Sequence, residues 1–172
     1  MRRLFSLPTL ALLAACGSAD AAPDAALGAP AAETALTQAS AEQQLLSIIV
    51  YKTSTCGCCR GWVDHMRQAG FAVDARDLPG NVELMGIKVD AGVPGEMATC
   101  HTALIDGYVV EGHVPADQVK RLLAERPAVA GIAVPGMPVG APGMEGPNAQ
   151  PYQVLSWNRD GSRGVFADIT PR

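Results

Sequence analysis

The chain has 172 residues, of which 48% are apolar, 5% aromatic and 17% charged, with a formal net charge of −4. That length suits one folded domain with spare chain, and 18 glycines and 13 prolines exclude an all-helical bundle or a coiled coil. The acidic balance argues against a nucleic-acid partner, which requires a basic face.

Met1-Arg2-Arg3 opens the chain, and the run from Leu4 to Ala15 carries no charge. Such a run is too short to span a bilayer and fits the apolar region of a signal peptide. Small residues then lead directly into Cys16-Gly17, the form of a lipobox. Residues 1–15 are therefore expected to be a lipoprotein signal peptide, with Cys16 lipidated and the mature chain exported to the periplasm; an ordinary secretory signal cut nearby is the bland alternative. Gly17, rather than aspartate, after that cysteine favours the outer membrane. Residues 16–44 are rich in alanine, contain four acids and no basic residue, and read as a tether.

The folded unit starts near Leu45. Leu45 to Lys52 is a β-branched apolar run of the kind that forms a buried strand. Thr53-Ser54-Thr55 offers caps, and from Arg60 the pattern turns helical, with Trp62, Val63, Met66 and Ala69 on one stripe and Gly70 as terminator. Phe71 to Asp74 reads as a second strand and Asn81 to Val89 as a short helix. Thr102 to Ile105 and Tyr108 to His113 flank Asp106-Gly107, a strong hairpin signal. Val114-Pro115 opens a helix whose inner stripe is Val119, Leu122 and Leu123, closed by Arg126-Pro127. Ala128 to Pro151 reads as a long Gly/Pro-rich loop, and Tyr152 to Trp157 with Gly164 to Ile169 as a last hairpin. The order strand, helix, strand, helix, strand, strand, helix is that of an α/β thioredoxin-like domain over 45–127. Residues 128–172 are a Gly/Pro-rich C-terminal extension ending in a β-hairpin.

Five cysteines is an odd number for an exported chain. With Cys16 assigned to lipid, four remain. Cys56-Gly57-Cys58-Cys59 lies where a buried strand meets a helix, and unpaired N–H groups at a helix start favour thiolates. Three sulfurs so close repel unless a cation shares them. Soft-metal binding meets that condition, and so does dithiol exchange through the Cys56/Cys59 pair. Cys58 favours metal, because a third thiol scrambles a dithiol catalyst; plain structural bridging is the bland alternative. Cys100 precedes the third strand, and in a thioredoxin-like fold that turn packs against the Cys-x-x-Cys loop.

Other soft ligands are less decided. Met66 belongs to the helix core, Met85 to the inner face of its helix, and Met97 is ambiguous. Met137 and Met144 sit in rigid Pro-Gly-Met segments and are candidates to close over the site. His101 alternates away from Cys100 if the strand has begun there. The side of the sheet on which His113 falls is open, and His65 lies too far down the helix to be a ligand.

Tyr51-Lys52-x-x-Thr55-Cys56-Gly57-Cys58-Cys59, followed by Trp62-Val63 and His65, resembles the start of the periplasmic CopG-type copper-resistance proteins. The likeness continues through Gly92-Val93-Pro94, Cys100-His101-Thr102-Ala103, Gly107 to Pro115, and Gly136-Met137-Pro138 to Gly143-Met144-Glu145, covering about residues 47 to 169. It implies a multinuclear, thiolate-bridged copper cluster that interconverts Cu(I) and Cu(II). Cys56, Cys58, Cys59 and Cys100 are then the cluster sulfurs, the first three also catalytic, and Met137, Met144, His101 and His113 fall on family motif positions. Expected partners are copper ions and a periplasmic copper chaperone or efflux system. A monomer touching the membrane only through its lipid completes the expectation. The alternatives are a thiol–disulfide oxidoreductase using Cys56/Cys59 and a non-catalytic copper store or donor.

Overall fold

The computed structural model describes residues 47–171. The expected signal peptide, Cys16 and the whole of the expected tether lie outside the described residues. Four strands and two helices come first: β1 (Ser47–Thr53), α1 (Gly57–Gln68), β2 (Ala72–Leu78), α2 (Asn81–Asp90), β3 (His101–Ile105) and β4 (Tyr108–Glu111). They are followed by α3 (Ala116–Glu125), β5 (Gly131–Ala133), β6 (Tyr152–Trp157) and β7 (Arg163–Ile169). All strands form one sheet in the order β2-β1-β3-β4-β5-β6-β7. β1 and β2 are parallel, as the α1 crossover requires, and β3 runs antiparallel to both β1 and β4. This is the thioredoxin-like α/β arrangement, and the C-terminal hairpin extends its sheet.

Alternation along the strands divides the apolar side chains between two faces. Ile48, Val50, Ala103, Ile105, Val110, Ile132 and Val154 meet Trp62, Val63 and Met66 of α1 and Val119 and Leu122 of α3. On the other face Val109, Ala133 and Trp157 pack with Met97, beyond the end of α2. Trp62 and Trp157 are both fully enclosed, and each indole N–H reaches a carbonyl, at Val114 (2.8 Å) and Gly92 (3.1 Å).

The structure corrects several sequence expectations. α1 begins at Gly57, not Arg60, so Cys58 and Cys59 are helical residues and Cys56 is the N-cap. β2 runs to Leu78 rather than Asp74, because its pairing with β1 continues from Ser47↔Ala72 to Thr53↔Leu78. It is an edge strand with exposed Asp74, Arg76 and Asp77, so its second half has no apolar alternation to read. The second hairpin strand stops at Glu111, leaving His113 in the turn before α3. Residues 128–151 are not all loop: β5 is buried throughout and pairs in parallel with β4. Three residues are too short to show a period. Met85 is 47% exposed, because Leu84 and Lys88 form the buried side of α2 instead.

Candidate metal centre

Cys56 sits at the start of α1 in extended backbone (φ −72°, ψ 100°), and its sulfur accepts the N–H of Cys59 at 3.3 Å. The sulfur thus does what a serine or aspartate oxygen does at other helix starts. Cys56 and Cys59, one turn apart with Cα atoms 5.3 Å from one another, are joined in a disulfide. Cys58 and Cys100 are free thiols. This departs from four free thiolates and is the sulfur arrangement that the Cys-x-x-Cys spacing allows. Cys58 Sγ lies 3.5 Å from Cys56 Sγ. The pairing of β1 with β3, which sets Lys52 opposite His101, carries Cys100 to the same end of the sheet. All four sulfurs lie within 4.8 Å of one another.

Cys100 also belongs to a second group. Its Sγ is 3.0 Å from His113 Nε2 and 3.6 Å from His101 Nδ1. His113 Nδ1 donates to the carbonyl of Pro142 at 2.8 Å, which fixes the tautomer and leaves the Nε2 lone pair facing the sulfur. His101 is fully buried between the Trp62 ring (4.5 Å between centroids) and the His113 ring (5.0 Å). Its Nε2 has no hydrogen-bond partner among the described residues. The strand alternation that was expected to turn His101 away does not separate it from the site, because Cys100 precedes β3 and follows no pleat.

The extension closes this end of the molecule. A Cβ built on Gly61 would stand 3.0 Å from Gly143 Cα, and one on Gly143 would stand 2.5 Å from the Cys58 carbonyl oxygen and 2.7 Å from the Trp62 nitrogen. Gly143 also has φ +81°, so glycine is required here by both space and backbone. Glu145 accepts the Gly143 N–H at 2.8 Å, and that bond holds its carboxyl below the usual range.

A family described as "Protein of unknown function, DUF411" matches residues 97–144. The solved structure "Copper resistance protein copG- Form 2" is 42% identical with a TM-score of 0.67, covering 72% of this chain and 98% of that one. "Copper resistance protein copG- Form 1" is 42% identical with a TM-score of 0.66, covering 73% and 98%. The chain belongs to the CopG family of copper-resistance proteins. No curated protein matches.

In this CopG-family chain the donor chemistry suits a soft metal: thiols and imidazoles, with no carboxylate in either group. Burial, then the neighbouring Cys58, pushes the Cys100 thiol up to about 12. Burial holds His101 well below its ordinary value, and the nearby His113 and Lys88 act in the same direction. His113 is also lowered, chiefly by burial. Neutral imidazoles are the ligating form, and a metal ion displaces the proton that Cys100 otherwise keeps.

Met137 is 56% exposed, and Met144, half-buried, follows directly on Gly143 at the contact with α1. Met66 and Met97 are core residues. His65 accepts the Ala116 N–H at 3.0 Å and so caps the start of α3. Burial lowers its pKa from 6.5, and protonation would remove the accepting lone pair. The neutral ring is the folded form, so its contribution is complete above the unfolded value and is lost as pH falls below 6.5 toward the lowered folded value. Denaturant unfolding of the metal-free protein between about pH 8 and pH 5 is expected to show this loss. His65→Gln, which keeps an acceptor, is expected to flatten part of it.

Sequence reasoning missed the support beneath Cys100. Lys88 donates to Glu111 (2.6 Å) and Thr102 (2.9 Å), while Glu111 accepts from the Thr99 N–H (2.6 Å) and the Thr102 hydroxyl (2.8 Å). Both charged side chains are buried. The only sequence signal was a lysine four residues from Leu84, on the apolar side of α2.

No helix among the described residues is long and apolar enough to cross a membrane.

Proposed function

We propose that this protein is an exported copper-binding protein of copper resistance that interconverts Cu(I) and Cu(II) at a thiolate-bridged cluster. One observation carries the reading: four cysteine sulfurs from two separate segments lie within 4.8 Å of one another at the start of α1. Membership of the copper-resistance family supports copper as the metal. Thiolates and imidazoles stabilise Cu(I), and shared sulfurs spread the charge of several ions. Copper is cargo and substrate here. With Cys56 and Cys59 reduced, all four sulfurs are available, and His101 and His113 complete the donor set, while Met144 follows the Gly143 that rests on α1. Export and lipid attachment rest on residues 1–17, where the signal and Cys16 stand.

Anaerobic titration of the reduced protein with Cu(I) tests the reading. Stoichiometric binding is expected in the wild type and its loss in Cys58→Ser; full copper loading of that variant refutes the cluster. A second reading, thiol–disulfide exchange on protein substrates, is favoured by the Cys56–Cys59 disulfide. Insulin reduction by metal-free protein separates the two: sustained turnover that survives Cys58→Ser supports exchange over copper.

A further inference from the structure

The cysteines at the centre are sorted into two kinds. Cys56 and Cys59 are paired, while Cys58 and Cys100 stay free although their sulfurs belong to the same close group. A paired sulfur is a poor metal ligand, because the thiolate is the ligating form. The paired state nevertheless keeps a complete donor set. Cys100, His101 and His113 hold their ligand atoms within 4.8 Å of each other, and none of the three takes part in the disulfide. Pro142 aims the His113 lone pair at Cys100, so this group is preformed in the oxidised protein.

We propose that the Cys56–Cys59 dithiol is the electron donor that reduces Cu(II), and that Cys58, Cys100, His101 and His113 receive the Cu(I) produced. The inference rests on the copper reading above and names the source of its electrons. Each thiol gives up one proton and one electron. The two sulfurs join in one S–S bond, two protons pass to solvent, and each of two Cu(II) ions takes one electron. Pairing matters because a single thiol oxidised by one Cu(II) ends as a radical, whereas two that can bond end as a closed-shell disulfide. Cys56 and Cys59 are placed to bond, with Cα atoms 5.3 Å apart, inside the range that a disulfide spans. The adjacent Cys58 and Cys59 could join only through a strained ring. Cys58, 3.5 Å from Cys56 Sγ, remains to hold an ion beside the bond that has formed. Oxidation therefore converts two of the four sulfurs from ligand to spent reductant and leaves the others as the cuprous site.

The experiment mixes reduced, metal-free full chain with Cu(II) sulfate anaerobically, one ion per thiol of the pair. A cuprous-specific chelator reads Cu(I), and alkylation with peptide mass spectrometry locates the disulfide after the copper is stripped. The expected result is one Cu(I) for each thiol lost, a Cys56–Cys59 bond, and Cys58 and Cys100 both alkylated. Cu(I) with the bond at Cys58–Cys100 or between chains overturns the inference while leaving the copper reading intact. Bound copper that stays cupric also overturns it. A reduced chain that binds neither Cu(I) nor Cu(II) removes the copper reading itself. In a second arm the disulfide form is titrated with Cu(I) alone. Retained binding that is lost in Cys100→Ser supports the receiving site, and no binding by the disulfide form overturns that half of the proposal.

Discussion

Glu111→Ala is expected to lower the unfolding free energy by about 3–5 kcal/mol, the usual cost of removing one partner from a buried ion pair. The Lys88 ammonium, itself buried, would keep only the Thr102 hydroxyl, and the Thr99 N–H would lose its acceptor. The second loss falls on the segment that presents Cys100. A companion variant separates stability from function. Lys88→Met combined with Glu111→Leu replaces the pair by apolar side chains, an exchange that is often neutral or stabilising. That double variant is expected to recover most of the stability in denaturant unfolding. It leaves Thr99 without a partner next to Cys100, so weaker Cu(I) binding in a competition titration is expected to persist. Recovery of both properties would mean that the network serves folding alone.

Gly143→Ala is the second large effect. A left-handed backbone costs a residue with a side chain about 1–2 kcal/mol, and forcing a methyl into packed atoms typically adds about 1–3 kcal/mol. Here the methyl meets the Cys58 carbonyl oxygen and the Trp62 nitrogen, neither of which can swing away as a side-chain tip does. The loop must lift from α1. Pro142, one residue earlier, then moves from His113 Nδ1, and the imidazole loses the bond that aims it. Lower stability is expected together with faster alkylation of Cys58 and Cys100 in the metal-free protein. Unchanged alkylation rates would show that the loop does not seal the centre.

Much of the fold was legible because its signals are local. The β-branched run before Cys56, the Asp106-Gly107 turn and the apolar stripes of α1 and α3 each follow from neighbours a few residues apart, and each of these elements is present, with some of its ends moved. Their order was enough to identify the thioredoxin-like class. What escaped was structure without a period. β5 is three residues long, and β2 continues along an exposed edge where polar side chains face water. The helix start moved to Gly57 because a cysteine sulfur, rather than a hydroxyl or carboxylate, supplies the cap.

The centre divides in the same way. The order of residues is enough to bring three cysteines to a helix start, to set Cys100 just before β3, and to give only Cys56 and Cys59 the spacing to pair. These facts depend on covalent connectivity and on the helical turn. The tertiary structure alone decided that His113 faces Cys100 with its tautomer fixed by Pro142, that His101 is enclosed beside them, and that Lys88 and Glu111 brace the segment from below. Those relations join residues between 12 and 29 positions apart in the chain. They depend on strand register and on how buried polar groups find partners, and neither is written in the spacing of neighbouring residues.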